Sequence, residues 1–224
     1  MDADTIIAGL LHDVVEDCEI SLKTVKKEFG TNVAKLVDGM TKLLQLDDKL
    51  KDQSQAEYFQ KMALATAEDV RVVIIKLADR LHNLQTIEHL PRDKQIKKAK
   101  ETLELYAPLA HQIGMHKMAT DLEDHSFKTI HPFRHNLIEQ ALKKNELNRK
   151  TLISKVKKTL KAKFKKNKLE AGTKGRRKRI YSIYQKMKSK HRSFGDIYDV
   201  FAFRVTVEKV EECYKVLGII HNVF

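Results

Sequence analysis

The sequence predicts a mainly α-helical chain that turns α+β only near its C-terminal end. Three observations predict it. Apolar residues recur at helical spacing almost without a break from Asp4 to about Gly114. Proline and glycine are scarce, 3 and 8 in 224 residues, while apolar residues make up 42%. One β-branched and aromatic run, Val200 to Val207, interrupts the helical pattern before it resumes. The length suits one large or two small domains, each able to bury a core.

The first helix starts almost at the first residue and carries Ile6, Ile7, Leu10, Leu11, Val14 and Val15. Ser21 is placed to cap a short helix that Gly30 ends, and Thr31 opens the next. Residues 43–54 are polar enough to read as a loop. Gln55 to Ala67 and Val70 to Leu90 follow as helices, with Pro91 as a break. Asp93 to Tyr106 is amphipathic, and Pro108 is expected to bend or end it. Lys117 to Lys128 and Pro132 to Lys144 are two further helices, divided near His131-Pro132, and a domain boundary is expected within residues 130–147.

Asn148 to Lys166 reads as a basic amphipathic helix with Leu152, Ile153, Val156, Leu160 and Phe164 on one side. Ala171 to Gly175 reads as a turn, Ile180 to Lys190 as a helix, Val200 to Val207 as a buried strand and Val210 to Val223 as a helix.

Charge divides the chain. Residues 143–192 hold 21 Lys or Arg against Glu146 and Glu170, whereas residues 1–142 hold 19 Lys or Arg against 23 Asp or Glu. Such a basic tract attracts nucleotide phosphates, RNA or acidic surfaces, although lysines on a solvated helix give the same pattern. No apolar run approaches the roughly 18 residues that cross a bilayer. Asp2 and Asp4 stand where a signal peptide would be basic. Cys18 and Cys213 are two and far apart, which fits a reducing cytoplasm.

Two constellations carry chemistry. At helical spacing His12 and Glu16 lie one turn apart, as do Asp13 and Asp17. An imidazole nitrogen beside a hard carboxylate oxygen suits a borderline divalent ion. Glu16 and Asp17 could then orient or deprotonate a metal-bound water; a His-Asp pair at a solvated helix end is the other reading. Within the apolar run Val70 to Leu84, Asp79 and Asn83 lie one turn apart, interleaved with Lys76 and Arg80. A carboxylate there needs a metal or a buried ion pair with Arg80 or Lys76. His82 fits an ordinary helix histidine and stays outside the site. The second constellation is Arg176, Arg177, Lys178 and Arg179 after a glycine, with Lys186 two turns into the next helix, cations suited to a phosphate clamp. Asp199, at the start of the expected strand, could hold Mg²⁺.

His12-Asp13, Glu16-Asp17, Lys-Leu-Ala-Asp79-Arg-Leu-His-Asn83 and Glu-Thr-Leu-Glu-Leu-Tyr106-Ala-Pro108-Leu-Ala-His111 together resemble the metal-dependent His-Asp hydrolase domain of the Rel/SpoT enzymes. Gly175-Arg-Arg-Lys-Arg-Ile-Tyr-Ser-Ile-Tyr-Gln-Lys186-Met and Asp196-Ile-Tyr-Asp199-Val-Phe-Ala-Phe-Arg204-Val resemble the start of that family's pyrophosphotransferase domain. The resemblance implies a helical hydrolase domain over residues 1–130, a connecting helical region over 131–147 and part of a synthetase domain over 148–224.

It further implies Mn²⁺-dependent removal of the 3′-pyrophosphate of (p)ppGpp, the alarmone of the stringent response. His12, Asp13 and Asp79 become metal ligands, Glu16 and Asp17 catalytic groups, and Arg80 and Asn83 nucleotide contacts. For the second domain it implies attack of the GDP or GTP ribose 3′-hydroxyl on the β-phosphorus of ATP, with Mg²⁺. Arg176 and Lys178 contact ATP, Lys186 steadies charge during transfer, Asp199 holds Mg²⁺, and Arg204 lies beside the nucleotide. The family has a further metal-binding histidine upstream of the His-Asp pair and a guanine-stacking tyrosine and second metal-binding glutamate downstream. The chain is therefore expected to be a piece of a longer enzyme, cut at both ends, in which ribosome or regulatory-domain contacts belong to the parent. Two rival readings are hydrolysis alone with a scaffolding basic half, and a non-catalytic RNA- or ribosome-binding fragment; Phe164, Tyr181 and Tyr184 are few aromatics for base stacking in the basic tract.

Overall fold

The structure is a computed structural model that describes residues 2–18, 20–49, 69–144, 146–191, 194 and 201–223. The helices are α1 (Ala3–Leu11), α2 (Val14–Asp17), α3 (Leu22–Phe29), α4 (Thr31–Lys49), α5 (Val70–Gln85), α6 (Arg92–Glu101), α7 (Ala107–Gln112), α8 (His116–Ile130), α9 (Pro132–Lys144), α10 (Glu146–Lys166), α11 (Ile180–Ser189) and α12 (Val210–His221). Two strands, β1 (Gly172–Arg177) and β2 (Phe201–Thr206), pair antiparallel. The chain is mainly helical. It divides into two compact units, Met1–Ile130 and His131–Phe224.

Local chemistry sets most boundaries in the first unit. Asp2 caps α1, its carboxylate accepting from the Thr5 amide at 2.8 Å. Ser21 caps α3 through the Thr24 amide, and Gly30, at φ +90°, ends that helix where a side chain would be strained. The core forms where α4 presents Val33, Leu36, Val37, Met40 and Leu43 to a cluster that includes Val72, Val73 and Leu77 of α5 and Leu122 of α8. Full burial of such a side chain is worth about 1.5–3 kcal/mol. A Cβ on Gly39 would lie 2.8 Å from Val72 Cγ2, so the glycine lets α4 approach α5 closely.

Several sequence expectations give way here. The opening helix does not run through the His-Asp motif: α1 stops at Leu11, and His12 and Asp13 form a turn before the single turn of α2. Residues 43–49, expected as loop, continue α4, because Leu43 is part of the core and holds the helix on past it. The expected loop residues 50–54 and the expected helix Gln55 to Ala67 lie outside the described residues. α5 ends at Gln85 instead of Leu90, followed by a 3₁₀ turn over Ile87–His89 before Pro91. Pro108 ends nothing. A π turn over Thr102–Tyr106 precedes it, closed by the Ala107 amide donating to the Thr102 carbonyl five residues back. The wider turn gives room at the carbonyl a proline would otherwise clash with, so the chain passes into α7.

In the second unit α10 lays Leu160 and Phe164 against Val216 of α12, with Val156, Val205 and Ile219 alongside. Ala171–Gly175, expected as a turn, is in the structure the approach to and first half of β1. Its glycines suggest a turn, but β2 satisfies the backbone, in a register that runs from Gly172 opposite Thr206 to Arg177 opposite Phe201. Gly175 has a packing reason: a Cβ there would meet Ile153 Cγ2 of α10 at 3.1 Å. β2 is one-sided instead of buried. Phe203 and Val205 are half-buried, while Ala202, Arg204 and Thr206 are exposed. Among the described residues, no helix is long and apolar enough to cross a membrane.

Candidate metal centre

Arg71 sets the frame for the site. Its guanidinium reaches Asp69, the N-cap of α5, at 2.7 Å and Asp2, the N-cap of α1, at 3.0 Å. The two helices therefore start side by side and run in the same direction. His12 follows the end of α1 and Asp79 lies on α5, and there the helices bring them together. Arg71 and Thr5 act on the capping carboxylates: hydrogen bonds from Thr5 hold Asp2 down at about 2, and the Arg71 side chain lowers Asp69.

His12 Nδ1 is 2.8 Å from the Gly9 carbonyl. A carbonyl only accepts, so Nδ1 carries the proton and the neutral ring keeps its lone pair on Nε2. That atom is buried and has no hydrogen-bond partner. It lies 3.0 Å from Asp13 Oδ2 and 3.5 Å from Asp79 Oδ1, close but not aligned for a hydrogen bond with either. Asp79 is held in turn by Asn83, whose Nδ2 donates to Oδ1 at 2.7 Å, and by Lys76, whose Nζ is 3.8 Å from Oδ2. Lys76 is only 4% exposed. The metal reading and the ion-pair reading of Asp79 thus coexist.

The electrostatics follow from this packing. Burial pushes the Asp79 carboxyl up, but His12, Lys76 and Arg80 outweigh it and hold the group below the ordinary carboxylate range. His12 is raised above its ordinary 6.5, chiefly by the Asp79 carboxylate and then by Gly9 and Asp13, against the opposing effect of burial.

Among the described residues, no group of three His, Cys, Asp or Glu side chains is placed to hold a metal ion. The fit to a divalent ion rests instead on His12 Nε2, an orphaned buried donor atom facing two hard carboxylate oxygens, a mixed set that suits such an ion. His12, Asp13 and Asp79 are the residues that would hold it.

The other expected residues fall elsewhere. Glu16 and Asp17 are exposed on α2; their backbone amides donate to the Asp13 carbonyl at 3.1 and 2.8 Å, but among the described residues no side-chain hydrogen bond or ion pair joins them to the trio. Asn83 contacts Asp79 instead of standing free for a nucleotide. Arg80 is occupied. Both terminal nitrogens meet Glu101 at 3.3 Å, and its Cζ sits 4.1 Å above the buried Tyr106 ring, which the π turn places there. That arrangement positions the helix behind Asp79. Sequence reasoning gave Arg71 no part, and its only signal was a cation next to an N-cap. In the second unit, Lys174 pairs with Arg204 across the two strands and Arg176 with Ala202, so Lys174 and Arg204 stand directly opposite each other. Lys178 precedes α11 and Lys186 lies within it, both half-buried. Asp199 lies outside the described residues.

Two family models match the chain: HD domain over residues 1–116, and region found in RelA / SpoT proteins over residues 175–224. The chain belongs to the HD-domain family and carries the region found in RelA / SpoT proteins. Over its full length it is 43% identical to guanosine-3′,5′-bis(diphosphate) 3′-pyrophosphohydrolase of Haemophilus influenzae, covering 33% of that protein. It is 41% identical to the bifunctional (p)ppGpp synthase/hydrolase SpoT of Escherichia coli, covering 32%. Over 223 residues, 99% of the chain, it is 44% identical to GTP pyrophosphokinase of Streptomyces coelicolor, covering 26%. The chain spans about a third or less of the curated relatives it matches. The HD domain holds the trio of His12, Asp13 and Asp79 and implies divalent-metal-dependent hydrolysis.

Proposed function

We propose that the HD domain removes the 3′-pyrophosphate of (p)ppGpp, with Mn²⁺ held by His12, Asp13 and Asp79. The observation that supports this most is the buried His12 Nε2, without an aligned hydrogen bond and facing the Asp13 and Asp79 carboxylates at 3.0 and 3.5 Å, inside the segment that matches the HD domain. A divalent ion bound there supplies Lewis-acid polarisation and lowers the pKa of water. The chain's own groups do the rest. Gly9 fixes the His12 tautomer, while Asn83 and Lys76 fix the Asp79 carboxylate. Glu16, beside Asp17 on α2, takes the proton of the attacking water. Water attacks phosphorus, the bond to the 3′-oxygen breaks and that oxygen takes up a proton, giving pyrophosphate and the 3′-hydroxyl of GDP or GTP.

For the second unit we infer a share in ATP:GDP/GTP pyrophosphotransfer by the longer protein in the cytoplasm. Lys174 and Arg204 stand opposite each other, a like-charge pair that costs stability unless an anion lies between them. Arg176, Lys178 and Lys186 make the phosphate contacts, since positioning and charge neutralisation carry most of such catalysis. Mg²⁺ is the ion expected for that half.

Incubating the full-length protein with ppGpp and Mn²⁺, and following pyrophosphate release, tests the hydrolase reading. Release in wild type that is lost in Asp79→Ala supports it, and equal release in both overturns it. ATP binding that falls in Lys186→Ala supports the second assignment. Salt-sensitive RNA binding by α10, without any ATP binding, overturns it.

A further inference from the structure

A second cluster of ligating side chains lies in the first unit, outside the trio just described. His111 is in the last turn of α7 and His116 opens α8. Gly114 between them has φ +79°, and the Met115 amide donates to the Ala110 carbonyl at 2.8 Å, so the chain reverses within a few residues. The reversal leaves His111 Nδ1 3.4 Å from His116 Nδ1, with the rings 5.7 Å apart and tilted by 46°.

The opposite edge of His111 is already held. Its Nε2 lies 3.2 Å from Glu123 Oε1, two turns along α8. An ionised carboxylate only accepts, so Nε2 carries the proton and the neutral ring presents its lone pair at Nδ1, toward His116. A carboxylate that grips one imidazole nitrogen is the arrangement that orients metal-ligating histidines, and here the other nitrogen faces only His116 Nδ1, a contact an ion would replace. Glu123 is 19% exposed, and burial pushes its carboxyl up, which makes it the stronger acceptor. The spacing agrees. Bonds of about 2.0–2.1 Å to a tetrahedral ion set two nitrogen ligands about 3.3–3.4 Å apart.

We propose that His111 and His116 form a second metal site, for a borderline divalent ion such as Zn²⁺, with Glu123 orienting His111. Two imidazoles without a direct carboxylate favour Zn²⁺ over the harder ions suited to His12, Asp13 and Asp79. Both histidines are exposed, so the remaining coordination positions face solvent and are open to water or to a ligand's donor atom.

The test is a Zn²⁺ titration of the full chain by calorimetry, with ¹⁵N imidazole spectra followed in parallel. A His12→Ala background removes the imidazole of the other site. In that background we expect Zn²⁺ binding that His116→Gln abolishes. Glu123→Gln should keep the site but weaken it by roughly tenfold or more. In wild type, Zn²⁺ should shift Nδ1 of His111 and of His116, a readout that needs no variant to fold. If the His12→Ala protein binds Zn²⁺ equally with and without His116, or if neither Nδ1 shifts, the pair is a His–His hydrogen bond only and the proposal is overturned. An unchanged affinity in Glu123→Gln overturns the orienting role.

Discussion

The first unit takes charge into its interior, and the second spreads charge over its surface. Lys76, Asp79 and Arg80 lie along one helix with side chains 4%, 15% and 12% exposed, each within reach of an opposite charge. In the second unit Lys174 and Arg204 oppose each other, both exposed, across the two-stranded sheet, and Lys155, Lys157 and Lys158 stand in solvent on α10. Desolvating a carboxylate costs several kcal/mol unless partners replace the water, so a buried acid implies a built surrounding. Exposed cations cost little and imply only that an anion is welcome. The first unit therefore holds a shaped site, and the second holds an attractive surface.

The largest expected effects would break the first half of that comparison. Asp79→Ala should abolish Mn²⁺ binding in a calorimetric titration. Glu16→Gln should keep Mn²⁺ affinity while slowing (p)ppGpp hydrolysis by about 10²–10⁴-fold. Near-normal turnover in Glu16→Gln would assign the proton to another group.

Next come the two glycines that let helices close in. Gly39→Ala pushes a methyl toward Val72, and Gly175→Ala pushes one toward Ile153. Each should cost about 1–3 kcal/mol. Hydrogen exchange should show the loss confined to residues 1–130 for the first and to residues 131–224 for the second, and equal loosening of both units would mean that they fold as one.

A smaller effect should follow pH. His12 titrates above its ordinary 6.5 in the folded, metal-free protein. Its stabilising contribution is complete below pH 6.5 and fades as pH rises through the raised value. Melting of the metal-free wild type should lose stability across that window, and His12→Gln should flatten the loss. The smallest effect is Lys168→Gly. Lys168 follows α10 at φ +53°, where the Leu169 amide closes onto the Phe164 carbonyl. A glycine there should raise stability by about 0.5–1 kcal/mol, read from denaturant midpoints.

Much of the helical frame was legible because local chemistry decides it. Ser21, Gly30, Pro91 and His131-Pro132 mark boundaries that side chains and backbone freedom enforce within a few residues. What escaped depends on partners distant in sequence. Leu43 carries α4 forward because the core receives it, and Gly172 to Gly175 extend because β2 lies alongside. Pro108 is tolerated because a π turn upstream makes room for it. The site divides in the same way. The His12-Asp13 dipeptide and the acid within an apolar helix were visible as suspects. Their meeting was supplied by family resemblance, since no spacing rule joins two such distant positions. Arg80 shows the limit of that route, because its engagement with Glu101 and Tyr106 is a matter of three-dimensional packing.

The Lys76 ammonium also bears on the life of the protein before any ion arrives. It sits 3.8 Å from Asp79 as a resident counter-ion, so the carboxylate is neutralised whether or not a cation is present. On the proposed reading of the site, folding and loading are separate events. A newly made chain can collapse around α5 first and acquire its ion later, and a chelator should silence the enzyme reversibly without unfolding it, unlike small domains that metal holds together. Activity could then track the free ion concentration while the amount of folded protein stays constant.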